Sequence, residues 1–163
     1  KAALTGHLVL STLHTNDAAG AITRLRDMGV EAFLLASSII MTQAQRLYKK
    51  LCPACKRQRE LPLELLRINN LDPKLFEGCE IYDKVGCPKC MNTGFKGRGS
   101  LMEILMVDDA IRQLILKNAN SGALAERAVE TGMMTLRAVG LEKVRGGISS
   151  IEEILSVTGG GAD

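Results

Sequence analysis

Two pairs of cysteines are the side chains of this sequence best suited to chemistry. Cys52 and Cys55 enclose Pro-Ala, and Cys87 and Cys90 enclose Pro-Lys. Two thiolates at this spacing can hold one metal ion, and two such pairs supply the four ligands of a tetrahedral zinc site. The sequence therefore predicts a metal centre held by these four cysteines.

The distance between the two pairs is longer than usual for a four-cysteine site. The 31 residues from 56 to 86 separate them, against about 15–20 in the common pattern. An inserted excursion, rather than one compact hairpin, must therefore connect the pairs. Cys79 lies in this excursion, and we interpret it as a spare thiol, with a substitute ligand or a redox-reactive group as the alternative.

The two histidines, His7 and His14, lie in one stretch, residues 5–17 (TGHLVLSTLHTND), here called the histidine segment. If the segment is a regular strand, their odd separation of seven places them on opposite faces. His14 has the better position for chemistry, because it follows a predicted parallel strand and precedes a helix, where open α/β sheets bind anions. It is either a contact to the terminal phosphate of a nucleotide, with hydroxyls such as that of Thr12 nearby, or a structural histidine.

The elements that must position these residues begin as an α/β unit. Residues 4–13 form an apolar run that is typical of a buried parallel strand. A polar turn follows, and Thr15, Asn16 or Asp17 is expected to cap a helix that ends near Gly29.

Further along, residues 31–40 predict a second helix, and residues 43–51 and 99–107 predict two strands that pair as neighbours. The cysteine-containing excursion is then an insertion between these strands, with a short helix over residues 62–68. Residues 108–158 predict a cluster of four helices, the last opened by a capping box at Ser149–Glu153.

Composition excludes several classes of protein. The net charge of +3 does not require an acidic partner, and only 3% of the residues are aromatic, so stacking platforms for nucleic acid are scarce. No apolar run reaches the about 18–20 residues of a membrane span, and no signal sequence opens the chain. We expect a cytoplasmic protein, and the opening in mid-pattern suggests a piece of a longer one.

Basic residues near the first cysteine pair favour a solvated face or a protein-docking patch: Arg46, Lys49, Lys50, Lys56, Arg57 and Arg59.

No phosphate-binding loop of the form G-x-x-x-x-G-K-[ST] occurs in the 163 residues. Gly94, Gly97 and Gly99 do not precede a helix, so we interpret them as turns of the metal site and as the entry to a strand.

Taken in order, five segments resemble the carboxyl-terminal part of the secretion ATPase superfamily. The resemblance is strongest for type II secretion and type IV pilus assembly ATPases, because retraction ATPases of the superfamily lack the four-cysteine insertion. The segments are TGHLVLSTLHTNDA, AITRLRDMGVEAFLLASS, AQRLYKKLCPAC, GCPKCMNTGFKGRGSLMEIL and GMMTLRAVGLEKVRGGISSIEEIL.

The resemblance implies an α/β fold, the C-terminal portion of a RecA-like P-loop ATPase core with an inserted zinc module and a small C-terminal helical cluster. The expected domains are the core at residues 1–51, the four-cysteine insertion at 52–98, a returning core strand at 99–107, a helical subdomain at 108–158 and a disordered tail at 159–163.

The resemblance also implies a homo-hexameric, cytoplasmic ATPase that powers type II secretion or type IV pilus assembly. It would dock, without spanning the membrane, on an inner-membrane platform and on cytoplasmic adaptor proteins. His14 and His7 carry over as catalytic residues of the nucleotide site, with Thr12 as a cofactor contact. Arg24 is either a further contact to the nucleotide, a residue near a subunit boundary or a surface charge. ATP and Mg²⁺ would bind only in the full-length protein, because the phosphate loop would precede Lys1, so this chain alone is expected to be inactive.

Two alternatives explain part of the pattern. A zinc-ribbon interaction or nucleic-acid-binding module accounts for the cysteines and the basic rim, but not for the histidine segment. A rubredoxin-like electron carrier would place iron on the same four ligands.

Overall fold

The computed structural model describes residues 1–159, and the predicted disordered tail lies outside the described residues from position 160 onward. The chain mixes helices and strands, consistent with an α/β protein. It divides into two compact units, which are described separately here. The first contains residues 1–45 and 102–136, and the second contains residues 46–101 and, among the described residues, 137–159.

Four helices make up most of the first unit. They are α1 Ala18–Asp27, α2 Ala32–Ser38, α4 Asp109–Leu116 and α5 Ser121–Glu130. α1 packs against α5 and α2, α2 packs against α4, and α4 packs against α5.

Side-chain caps fix where these helices begin. The Asp17 carboxylate accepts from the Gly20 amide at 2.6 Å, which selects Asp17 among the three predicted caps of α1. Asp108 caps α4 through the Ile111 amide, and Asn120 caps α5 through the Ala123 amide. Each cap satisfies an amide that lacks an intrahelical partner.

Two long strands, β1 (Met41–Leu51) and β4 (Phe95–Met106), are neighbours in one two-stranded sheet. The predicted pairing is therefore confirmed, with each strand longer than expected. Along the end of β4, Leu101, Glu103 and Leu105 are buried and alternate with exposed residues, as a half-covered strand requires.

The second unit contains the excursion between the strands. β2 (Arg57–Arg59) pairs antiparallel with β3 (Ile81–Asp83), and the short helix α3 (Leu63–Ile68) lies between them in sequence. Leu66, Phe76 and Ile81 are buried, so the excursion has apolar packing of its own.

Helices α6 (Leu136–Arg145) and α7 (Ile151–Thr158) complete the described residues. Ser150 opens α7 by accepting from the Glu153 amide at 3.3 Å, which confirms the serine half of the predicted capping box. The Glu153 carboxylate instead accepts from the Lys49 amide at 2.8 Å. Gly140 of α6 lies against Ile154 of α7, where an added Cβ would come within 2.5 Å of the isoleucine side chain.

The predicted buried strand at residues 4–13 is wrong. A 3₁₀ turn occupies Ala2–Thr5, residues 7–15 have no regular structure, and Leu8 and Leu10 are 80% and 85% exposed. A parallel strand needs hydrogen-bonding neighbours, and the sheets of residues 1–159 contain only β1 with β4 and β2 with β3.

None of the helices within residues 1–159 is long and apolar enough to cross a membrane.

Candidate functional site

The four predicted metal ligands lie together in the second unit. The sulfurs of Cys52, Cys55, Cys87 and Cys90 are all within 4.8 Å of one another. Three Sγ–Sγ distances are 3.8–3.9 Å. A tetrahedral zinc site with Zn–S bonds of about 2.3 Å has sulfurs about 3.8 Å apart. The cluster therefore fits a tetrahedral metal ion, and its sulfurs are too far apart for disulfides.

Two tight turns bring the members of each pair together. In the first, the amides of Cys55 and Lys56 donate to the Cys52 carbonyl. In the second, the amides of Cys90 and Asn92 donate to the Cys87 carbonyl. The two turns are joined because the Cys52 amide donates to the Gly94 carbonyl at 2.9 Å.

Backbone amides also point at the sulfurs. The Gly86 amide donates to Cys55 Sγ at 3.3 Å, and the amides of Cys87 and Gly94 donate to Cys90 Sγ at 3.2 and 3.3 Å. Such donors stabilise a thiolate and leave the sulfur free to bind a cation. These amides were not predicted, although glycines placed just before Cys87 and four residues after Cys90 were a usable signal for them in the sequence.

Gly94 cannot be replaced without disturbing this arrangement. Its φ is +75°, and a Cβ at this position would lie 2.5 Å from the Cβ of Lys84. Glycine alone combines this conformation with so close an approach.

The thiols of the cluster differ in acidity. Burial raises the pKa of Cys55 to about 11, and the neighbouring sulfurs of Cys52, Cys87 and Cys90 act in the same direction. Burial also acts to raise the pKa of Cys90, but the amides of Cys87 and Gly94 and the adjacent thiols lower that pKa to about 6. The amides directed at Cys90 therefore favour its thiolate, which is the form that binds a metal ion.

The fifth cysteine lies apart from this arrangement. The Cys79 thiol is 3.8 Å from the carbonyl of Glu77, two residues earlier. The metal-compatible group within residues 1–159 contains the other four cysteines and omits Cys79.

Residues next to the first cysteine pair hold the cluster against the corner between α6 and α7. Lys56 donates to the Gly147 carbonyl at 2.7 Å, and its ammonium lies 4.4 Å from the centre of the Tyr82 ring. Arg59 contacts Asp83 at 3.2 Å and Glu152 at 2.6 Å. The excursion is thus connected to the C-terminal helices by one hydrogen bond, from Lys56 to Gly147, and one ion pair, between Arg59 and Glu152.

An open cavity of about 420 Å³ lies near the second cysteine pair. The ammonium groups of Lys49 and Lys84 lie 5.7 and 5.5 Å from the centre of the Phe95 ring. The cavity is positively charged because its lining contains three cations among six residues: Lys49, Lys84, Thr93, Phe95, Gly97 and Arg98.

The predicted nucleotide-site residues lie in the first unit and are exposed. His7, Thr12 and His14 belong to the irregular segment before α1, and Arg24 lies in the last turn of α1. The His7 ring shares a hydrogen bond of 3.0 Å with the Thr5 hydroxyl. Within residues 1–159, no hydrogen bond joins any two of these four residues.

Comparison with known proteins gives one consistent result. The family model described as "Type II/IV secretion system protein" matches residues 1–156. A type II secretion system ATPase E of Vibrio cholerae is 48% identical over 97% of this chain and 31% of its own length. Type IV pilus assembly ATPases of Thermus thermophilus and Myxococcus xanthus are 45% and 42% identical over 97% of this chain, and over 18% and 28% of their own lengths. The chain thus spans less than a third of each of these relatives.

Proposed function

Because this chain belongs to the type II/IV secretion system protein family, we propose that it is the C-terminal part of a hexameric ATPase. The ATPase would power type II secretion or type IV pilus assembly. The observation that carries this proposal is the similarity, along 97% of the chain, to proteins named as ATPases of these two systems.

In this proposal, residues 1–51 and the returning strand at residues 99–107 belong to a RecA-like core. The four-cysteine insertion at residues 52–98 and the helical subdomain at residues 108–158 are attached to this core. His14 and His7 act at the nucleotide, and Thr12 and Arg24 contact it. The exposure of these four side chains supports this role, because an exposed side chain can meet a ligand or another subunit.

ATP and Mg²⁺ require a phosphate loop, which residues 1–163 do not contain. The test is ATP turnover with Mg²⁺ by the full-length protein and by this chain alone. We expect turnover by the full-length hexamer and none above background by the chain. Turnover by the chain alone would refute its inactivity, and a full-length hexamer without turnover would refute the ATPase assignment.

We further propose that Cys52, Cys55, Cys87 and Cys90 bind one zinc ion. The tetrahedral sulfur spacing and the amides directed at the sulfurs support this assignment. Bound zinc would serve as a structural cross-link, because four thiolates leave no position for a substrate and zinc has no redox chemistry. Elemental analysis should find one zinc per chain, whereas a coloured preparation that contains iron would favour the electron-carrier alternative.

The role of this cross-link is to brace the excursion against α6 and α7. Lys56 directly follows Cys55, so the turn that positions Cys55 also positions the backbone of Lys56. The Lys56 side chain is thereby placed to donate to the Gly147 carbonyl. A rigid surface results, on which a partner in the membrane-bound machine could exert force.

The proposed partners are an inner-membrane platform and cytoplasmic adaptor proteins, with the ATPase in the cytoplasm and peripheral to the membrane. The positively charged cavity supports a docking role, because no ion pair engages Lys49, Lys84 or Arg98 in the described part of the chain.

The same cavity favours the second candidate, a zinc-ribbon interaction or nucleic-acid-binding module. A salt-dependent gel shift with DNA or RNA, combined with absent ATPase activity in the full-length protein, would favour that candidate.

A further inference from the structure

Glu103 is a charged residue at a core position of β4. Its neighbours on the inward face, Leu101 and Leu105, are fully buried, and Glu103 itself is only 5% exposed. The alternate residues Met102 and Ile104 face outward and are exposed. The strand thus buries a carboxylate and exposes apolar side chains, which reverses the usual pattern. Such exceptions are expected at functional positions.

The buried carboxylate is used at both oxygens. Oε1 accepts from the Ala18 amide at 2.8 Å, and Oε2 accepts from the Leu136 amide at 3.0 Å. Ala18 and Leu136 are the first residues of α1 and α6, and all three residues belong to the first unit. Amides at a helix start lack partners within the helix and carry partial positive charge, so they compensate a buried carboxylate.

Ala18 is held from a second side as well. The Thr42 hydroxyl of β1 donates to the Ala18 carbonyl at 2.8 Å. The peptide groups on both sides of Ala18 are therefore bound to side chains of the β1–β4 sheet. Ala18 is four residues after His14, and the turn between them contains Asp17, the cap of α1.

From this geometry we propose that Glu103 is a positioning residue, which sets the place of His14 by binding the start of α1 to β4. The inference rests on the proposed function, in which His14 acts at the nucleotide. Segment 7–15 has no regular structure of its own, so its position depends on the residues at its two ends. Glu103 fixes the position of the end nearer to His14.

The test is Glu103→Gln in the full-length protein. Glutamine offers one acceptor oxygen and one donor nitrogen, so either Ala18 or Leu136 loses its partner. Misplacement of a catalytic group by about 1 Å lowers turnover by up to about 10²-fold. We expect kcat for ATP hydrolysis to fall by about tenfold or more, with KM for ATP nearly unchanged, because an effect on the transition state alone appears in kcat. Amide exchange at Ala18 should become faster.

Two further variants separate positioning from general stability. Leu105→Val shortens a buried side chain on the same face of β4 and touches no hydrogen bond of α1, so at a similar loss of Tm it should keep kcat. Thr42→Val removes the other bond to Ala18, and its effect on kcat should not add to that of Glu103→Gln, because both act through Ala18. An equal loss in Leu105→Val, or full additivity, would overturn the proposal.

His14→Ala separates this inference from the proposed function. If His14→Ala is inactive and Glu103→Gln keeps wild-type kcat, the role of Glu103 is wrong and the proposed function stands. If His14→Ala keeps wild-type kcat, the nucleotide role of His14 fails and the positioning role of Glu103 fails with it.

Discussion

The cysteine cluster and the histidine segment both carry side chains suited to chemistry, but they differ in what surrounds those side chains. Each cysteine pair is formed by a turn of four residues, and backbone amides already point at two of the sulfurs. Residues 7–15 of the histidine segment are irregular and mostly exposed, and among the described residues the His7 side chain bonds only to Thr5.

The difference follows from the range of the interactions that each region needs. A four-residue turn closes through local hydrogen bonds, so its ligands are placed by residues a few positions away. A strand at the histidine segment would need paired neighbours, and the described strands do not include it. Under the proposed function, we therefore expect this chain alone to bind the metal ion, and we expect nucleotide chemistry only in the full-length protein.

Metal removal is the largest perturbation that this comparison predicts. Structural zinc contributes about 10–16 kcal/mol of apparent binding free energy in small zinc domains. On chelation, we expect amide protection to be lost in β2 and β3 and retained in α1, as measured by hydrogen exchange with mass spectrometry.

Matched cysteine variants provide the control for metal removal. Cys90→Ser should lose the metal, whereas Cys79→Ser should keep it, because Cys79 lies outside the cluster. Unchanged protection in β2 and β3 after complete metal removal would contradict the bracing role.

A smaller effect is expected from Gly94→Ala. An L-residue at positive φ destabilises the folded protein by about 1–2 kcal/mol relative to glycine. The steric overlap of the new Cβ with Lys84 adds a similar destabilisation. We expect the free energy of unfolding to fall by about 3 kcal/mol in urea denaturation.

Gly78→Ala is the matched control for Gly94. Its φ is +72°, but a Cβ there has nothing within 4 Å, so only the conformational loss of about 1 kcal/mol should remain. Equal losses in the two variants would mean that the close approach to Lys84 does not matter.

The features that sequence predicted correctly are those set by local chemistry. Asp17 and Ser150 cap helices through amides three residues ahead, and these caps were readable because the hydrogen bond closes within one turn. The cysteine cluster was predicted for the same reason. The pairing of β1 with β4 followed from length and alternation on the two sides of the excursion.

The features that sequence missed depend on partners far along the chain. Residues 4–13 have the composition of a buried strand, but composition does not reveal whether neighbouring strands are there to pair. Glu103 binds Ala18, 85 residues away, and its sole signal was a charge at an inward position of an otherwise apolar strand. The amide of Gly94 reaches Cys90 only because the second turn folds back.

Arg59→Met should produce a modest loss. Arg59 is partly buried and contacts both Asp83 and Glu152, so we expect the second unit to lose about 1 kcal/mol at low salt. High salt should reduce the difference from wild type.

Arg67→Met removes an ion pair of another kind and is the control. Arg67 and Glu64 are 74% and 70% exposed, and such pairs contribute less than about 0.5 kcal/mol. If Arg59→Met and Arg67→Met gave equal losses, the connection between β3 and α7 through Arg59 would not stabilise the unit.

His14→Ala should have the smallest effect on this chain and a large one on the full-length protein. The side chain is exposed, and within residues 1–159 it makes no hydrogen bond or ion pair, so the free energy of unfolding should change by less than about 0.5 kcal/mol. In the full-length protein, the same substitution should abolish most ATP turnover if His14 acts at the nucleotide. A marked loss of stability in the chain alone would instead identify His14 as a structural residue. An exposed histidine that acts only at the nucleotide makes no packing contacts in this chain, so its removal should not destabilise the fold.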